Sequence, residues 1–164
     1  MTDLSFLKTF DTEHGGILII MCGCPGSGKS TIAEEIAKRF DNFMIVSPDD
    51  IRKEITGNMS SQAQNDIVFA RVYGQLQSYL DQGYNVIYDA TNCRSQYRYK
   101  IIDVVKDSVY KIIGMVSTTP IVDCLKRNSL REDSVPDNII EKMYFTLRNH
   151  PPTIFEGFDM IVRF

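Results

Sequence analysis

Gly23-Cys24-Pro25-Gly26-Ser27-Gly28-Lys29-Ser30, followed by Thr31, reads glycine, four residues, glycine, lysine, serine. The run before it, Ile17 to Met21, is short, continuously apolar and rich in branched residues, the pattern of a strand buried on both faces. After it, Ser30 to Arg39 places Ile32, Ala33, Ile36 and Ala37 on one side of an amphipathic helix. Glycines at these spacings let the backbone turn tightly, so that successive N–H groups point inward at phosphate oxygens. The first turn of the following helix adds its partial positive charge. Lys29 is then placed to reach the β- and γ-phosphates of a nucleoside triphosphate, and the Ser30 hydroxyl to bind Mg²⁺. The residues expected to line this nucleotide are Gly23, Pro25, Gly26, Ser27, Gly28, Lys29, Ser30 and Thr31.

Working outward, Phe43 to Val46 reads as a second strand, and Ser47-Pro48-Asp49-Asp50 as a helix start with an acidic first turn. Ser60 or Ser61 is placed to cap a long helix running to about Asp81, with Ile67, Val68, Val72, Leu76 and Leu80 on its buried side and Gly83 as its stop. Val86 to Tyr88 is a third strand, Ser95 to Val105 a basic and aromatic helix, and Tyr110 to Val116 a fourth strand. Pro120 opens a helix reaching about Leu130, Pro136-Asp137 opens another ending before His150, and Asp159 to Phe164 closes as a strand. Alternation of this kind predicts an α/β fold of the P-loop NTPase class, a parallel sheet of about four or five strands with helices on both faces. Residues 1–14 are expected to form an N-terminal extension and 15–164 a single domain, with a helical lid at about 125–136.

At 164 residues and 43% hydrophobic, the chain is long enough for one compact core. No apolar run approaches the roughly 20 residues of a membrane helix. Met1 to Phe10 lacks the basic start and cleavage pattern of a secretion signal, so a cytoplasmic protein with no membrane partner is expected. Cys22, Cys24, Cys93 and Cys124 form no C-x-x-C pair, and with His14 and His150 they make no zinc ligand set, so no structural metal is expected. They read as reduced, packed thiols, with an oxidation-sensitive thiol at Cys22 or Cys24 as the sharper alternative. A net charge of −3 argues against coating long nucleic acids, while gripping a nucleic-acid end needs only a few local cations. Homo-oligomerisation stays open.

A GTPase would show D-x-x-G and N-K-x-D, which are absent, and a mechanical ATPase usually needs a larger domain. A small kinase remains, in which an acceptor hydroxyl must be deprotonated and aligned with the γ-phosphate. Asp49 and Arg52, three apart at a helix start, can serve as general base and as a fork for an acceptor phosphate, or form a surface salt bridge on a capped helix. Asp50 is the weaker carboxylate. Asp89, Thr91 and Asn92 follow the third strand, at the end where parallel sheets bind ligands, and are placed to meet substrate or the waters around a metal, or they form an Asx turn. Arg127 and Arg131, four apart with Lys126 beside them, suit either a lid that neutralises the transferring phosphoryl group or a solvated basic face. Arg94, Arg98 and Lys100, interleaved with Tyr97 and Tyr99, can offer charge and stacking to a nucleic-acid end, or belong to an ordinary amphipathic helix.

These residues resemble the P-loop kinase domain of the bacteriophage polynucleotide kinase family, which transfers the γ-phosphate of ATP to a 5′-hydroxyl end. The likeness rests on G-C-P-G-S-G-K-S-T at Gly23 to Thr31, D-D-x-R at Asp49 to Arg52, T-N at Thr91-Asn92 and K-R-N-S-x-R at Lys126 to Arg131, continued by Val135-Pro136 and Met143-Tyr144. The resemblance implies ATP and Mg²⁺ as cofactors on Lys29 and Ser30, and a 5′-hydroxyl end of DNA or RNA as acceptor. It further implies Asp49 as general base, Arg52 on the acceptor's 3′-phosphate, Arg131 as the lid arginine on the phosphates and Arg127 as a second one. In that family the active-site carboxylate directly precedes T-N, whereas here Ala90 stands there and Asp89 lies one residue earlier. No D-x-D-G-T phosphatase signature occurs, and the tail Glu156 to Asp159 resembles a wider group of small P-loop kinases. A small-molecule kinase acting on a nucleoside, sugar or antibiotic is therefore the alternative.

Overall fold

The computed structural model describes residues 2–58 and 64–164. Among them, five parallel strands, β1 (Ile17–Cys22), β2 (Phe43–Val46), β3 (Asn85–Tyr88), β4 (Lys111–Val116) and β5 (Met160–Arg163), form one sheet in the order β2-β3-β1-β4-β5. Six helices accompany them: α1 (Lys29–Arg39), α2 (Pro48–Thr56), α3 (Asn65–Asp81), α4 (Ser95–Val105), α5 (Ile121–Ser129) and α6 (Asp137–Asn149). The predicted α/β fold of the P-loop NTPase class is the fold observed. No helix among the described residues is long and apolar enough to cross a membrane.

The continuous apolar reading of β1 has a two-sided cause. Leu18, Ile20 and Cys22 pack on one face with Val68, Val72, Leu76 and Leu80 of α3 and Ile101, Ile102 and Val105 of α4. Ile17, Ile19 and Met21 pack on the other with Ala33 and Ile36 of α1. Each such aliphatic side chain contributes roughly 1.5–3 kcal/mol by leaving water, so β1 is the best-anchored element in the sheet.

One expectation needs correction here. Ile67 is 55% exposed and not on the buried side of its helix. The buried stripe of α3 runs Val68, Val72, Leu76, Leu80 at strict four-residue spacing, and Ile67, one position before it, is rotated outward. The expected caps Ser60 and Ser61 lie outside the described residues. Residues 1–14, too short for any hydrophobic period, include a 3-10 turn (Ser5–Thr9) whose Leu7, with Leu4 just before it, is fully buried against the α1 face.

From β1 the chain passes to β2 on one side, and from β3 it crosses back over β1 to β4. The strand order therefore diverges beside β1, and a crevice opens at the carboxyl ends of β1, β2 and β3, the place where parallel sheets bind ligands.

Candidate active site

The glycine-rich loop occupies that crevice. Gly26 has φ +78°, and a Cβ there would run into the Cys124 carbonyl of α5; a Cβ at Gly23 would run into the Ser27 hydroxyl. The close packing that glycine permits at these two points draws the loop into a ring. Lys29, 8% exposed at the first position of α1, donates from Nζ to the Cys24 carbonyl at 3.0 Å and the Ser27 Oγ at 3.4 Å, across the mouth of that ring. The loop is tied on both flanks: Gly23 N donates to Thr91 O at 2.9 Å, and Ser27 O accepts from Ser117 Oγ at 3.1 Å and Thr119 Oγ1 at 3.0 Å. Ser117 and Thr119 were not singled out in the sequence, since a polar residue after a strand carries no signal of its own.

Of the two sides open to it, Asp89 takes the one beside Ser30 and Lys29. Its N–H donates to Val46 O at 2.9 Å, which fixes it at the carboxyl end of β3. Burial pushes its carboxyl above the usual carboxylate range, against a hydrogen bond with Ser30 and the charge of Lys29, which pull it down. The pairing of a hydroxyl and a carboxylate beside a phosphate loop suits Mg²⁺, which typically takes one or two carboxylates and completes its octahedron with phosphate oxygens and water. The residues present therefore fit a nucleotide with its Mg²⁺, with Ser30 and Asp89 on the metal side. Asn92 departs from its expected role: 3% exposed, with φ +45°, it donates from Nδ2 to Met21 O at 2.7 Å. Its amide braces the β3 exit against β1 and is not directed at a substrate.

On the far side of the crevice, Ser47 caps α2 by accepting from Asp50 N at 3.3 Å, which turns Asp49 and Arg52 toward the loop. Arg52 Nη1 donates to Asp49 Oδ1 at 2.6 Å, with the Arg52 side chain 9% exposed and that of Asp49 60%. Arg52 Nη2 also reaches Asn65 Oδ1 at 3.3 Å. A guanidinium buried in this way is more than a solvent-exposed partner, while its carboxylate stays open to a ligand.

The two sides meet in a cleft of about 820 Å³ lined by Lys29, Ser30, Asp49, Arg52, Asp89 and Arg131. A second groove of about 610 Å³ runs along Gly28, Thr31, Thr119 and Arg127 and is also bordered by Arg131. Arg131 thus stands where the groove beside α1 joins the cleft. Arg127 leans on the loop, its Nη1 donating to Gly26 O at 3.4 Å. Between these arginines is Asn128, 1% exposed, which belongs to the K-R-N-S-x-R run but carries no role in it from sequence alone. Its side chain donates to Val135 O at 2.8 Å and accepts from Val135 N at 3.0 Å, closing the loop between α5 and α6 into a fixed bend.

The expected basic and aromatic surface on α4 splits in two. Arg94, Tyr97, Tyr99 and Lys100 are exposed, but Arg98 is 0% exposed and unavailable to a nucleic acid. Arg98 Nε and Nη2 donate to Glu156 at 2.6 Å each, Nη1 to Asn92 O at 3.0 Å and Cys93 O at 3.3 Å, and Nη2 to His150 O at 3.0 Å. A helical spacing cannot distinguish a surface arginine from one whose partner arrives from 58 residues away.

Fold and site together define a P-loop nucleotide-binding protein of the kinase type. The model of an AAA domain family, AAA_33, matches residues 18–150, and the chain belongs to that family. Among its relatives, L-seryl-tRNA(Sec) kinase of Methanococcus maripaludis is 26% identical over 133 residues, 78% of this chain and 51% of that protein. A chain of the Pnkp1/Rnl/Hen1 RNA repair complex superposes with a TM-score of 0.76 at 27% identity, covering 92% of this chain and 49% of that one. The chain thus spans about half the length of these two relatives. The Deinococcus radiodurans tunicamycin resistance protein shares the fold, with a TM-score of 0.58 at 16% identity over 90% of this chain and 86% of that one. Family and geometry give a P-loop kinase-type site for ATP, and one fold serves several acceptors.

Proposed function

We propose that this chain is an ATP- and Mg²⁺-dependent kinase that phosphorylates the 5′-hydroxyl end of a nucleic acid, with residues 15–164 acting as one catalytic unit and 125–136 as its lid. The observation that carries the reading is the cleft itself, in which the donor residues Lys29, Ser30 and Asp89 face Asp49 and Arg52 across about 820 Å³, with Arg131 on the border. Two relatives above 25% identity, a tRNA-linked kinase and a chain of an RNA repair complex, support an RNA-borne hydroxyl over a free metabolite.

Bound ATP with Mg²⁺ supplies the phosphoryl group and much of the charge neutralisation. The chain's own residues do the rest. Lys29 exchanges its contacts with Cys24 O and Ser27 Oγ for phosphate oxygens. Asp49 accepts the proton of the attacking hydroxyl from the open side of its carboxylate, and Arg52 holds that carboxylate in place and sets a positive charge beside the phosphate on the 3′ side of the terminal nucleotide. Arg131 closes over the transferring group, and Arg127 and Asn128 hold the lid that carries it.

The test offers γ-labelled ATP with 5′-hydroxyl DNA, 5′-hydroxyl RNA, 3′-nucleotides and small hydroxylated metabolites. Label on the 5′ end of an oligonucleotide is expected. Transfer confined to a small metabolite would sink this reading.

A further inference from the structure

Beyond Arg52 the molecule has a further concavity with no part in the transfer step. A cleft of about 280 Å³ lies between α2, α3, α4 and the end of β3, and Asp49, Arg52, Ala90 and Thr91 line both it and the main cleft. The two spaces are thus the two sides of one wall. Its other lining is aromatic: Phe69 and Tyr73, half-buried on α3 with ring centroids 6.1 Å apart, and Tyr97 on α4, 48% exposed. Lys100 Nζ stands 5.1 Å above the Tyr73 ring, and Asn65 sits beside Arg52. An aromatic that served only the core would be covered, whereas Tyr97 lies half open at the edge of this space.

We propose that this cleft is a stacking site for the nucleobase of the second nucleotide of the acceptor. This rests on the reading of the main cleft as a 5′-hydroxyl kinase site and names what the acceptor must carry beyond its terminal residue. Three features select that occupant. A half-exposed ring at the rim, Tyr97, can stack any base, and Lys100 on the same lining adds a cation beside it. Arg52 and Lys100 together outweigh the single carboxylate of Asp49 on the lining, which favours a polyanion. The cleft also begins where the 3′-linked phosphate of a terminal nucleotide held at Asp49 would leave the site, so a strand threads from one space to the other past Arg52. A free metabolite or a lone nucleoside ends at Asp49 and has nothing to place there.

Two measurements test it, one independent of turnover. In the first, a 5′-hydroxyl dinucleotide with 2-aminopurine at its second position is titrated with protein, since stacking quenches that probe. Quenching is expected with the wild type and with Tyr97→Phe, which keeps the ring, and at least about fivefold weaker binding with Tyr97→Ala. In the second, transfer is compared between oligonucleotides carrying a base or an abasic residue at the second position. The base is expected to lower KM by at least about fivefold in the wild type, with the ratio falling toward one in Tyr97→Ala. Equal transfer to both acceptors, or quenching that ignores residue 97, overturns the stacking site while leaving 5′-hydroxyl transfer intact. If no nucleic acid is phosphorylated, the kinase reading falls, and the titration alone decides: quenching that depends on Tyr97 keeps the base site, and absence of quenching removes it.

Discussion

Replacing Arg98 separates a structural arginine from a nucleic-acid-binding one. The guanidinium is 0% exposed, the Glu156 side chain beside it 6% exposed, and the five hydrogen bonds of Arg98 join α4, the β3–α4 loop, the end of α6 and the 3-10 turn at Ile154–Glu156. Arg98→Ala leaves the Glu156 carboxylate in that interior with its strongest partner gone, a loss of about 3–5 kcal/mol when one half of a buried pair is removed. With a urea slope of about 2 kcal/mol per molar, the unfolding midpoint falls by roughly 1.5–2.5 M. Since a domain's whole stability is about 5–15 kcal/mol, this is a large fraction of it. Urea unfolding followed by far-UV circular dichroism reads the shift. Glu156→Gln should fall in the same direction, and Arg98→Met combined with Glu156→Leu should recover part of the loss, because the double change removes both charges. A midpoint for Arg98→Ala within about 0.25 M of wild type, an effect of only ~0.5 kcal/mol, would refute the reasoning.

Burial raises the thiols of Cys24 to about 12 and of Cys93 to about 11, so both stay protonated at pH 8. Native protein should resist alkylation at these sites while denatured protein labels at all four cysteines; rapid native labelling of Cys24 would contradict this. Asn128→Ala should leave the Val135 N–H and carbonyl without their partner and loosen the lid, seen as faster tryptic cleavage after Arg131 together with a turnover lowered by about tenfold and restored in part by Asn128→Asp. An unchanged cleavage rate would remove Asn128 from the lid. Arg131→Ala should lower turnover by at least about 10²-fold with the unfolding midpoint unchanged, and unaltered kinetics would sink its placement on the transferring group.

The parts of this molecule that were legible in the sequence are those whose cause is local. β1 could be read because both of its faces are buried, and the glycine loop because its glycines and Lys29 answer to one short stretch of backbone. α2 announced itself through Ser47, Pro48 and the two aspartates, and its cap is the one observed. What could not be read depends on residues that meet across the chain. Asp89 could be read only as facing either substrate or the metal's waters, and the choice waits on the sheet order, which sets β3 beside β1 and the Asp89 carboxyl beside Ser30. Arg98 looked exposed because Glu156 lies 58 residues away, and Asn92 looked like a ligand because its partner, Met21 O, belongs to another strand. Of the aromatic cleft, Tyr97 and Lys100 on α4 were legible as a charged, stacking pair, whereas Phe69 and Tyr73 belong to α3 and meet them only in the fold.

The central claim is that Asp49 faces Lys29 across a single cleft and deprotonates the acceptor there. It is tested most directly by measuring transfer of labelled γ-phosphate to a 5′-hydroxyl oligonucleotide by Asp49→Ala alongside ATP binding by the same variant. Asp49 is exposed and lies on the acceptor wall, so the variant should bind ATP within about twofold of wild type while transfer falls by about 10²–10⁴-fold. Transfer near the wild-type rate, or a loss of ATP binding that accounts for the whole defect, would contradict it.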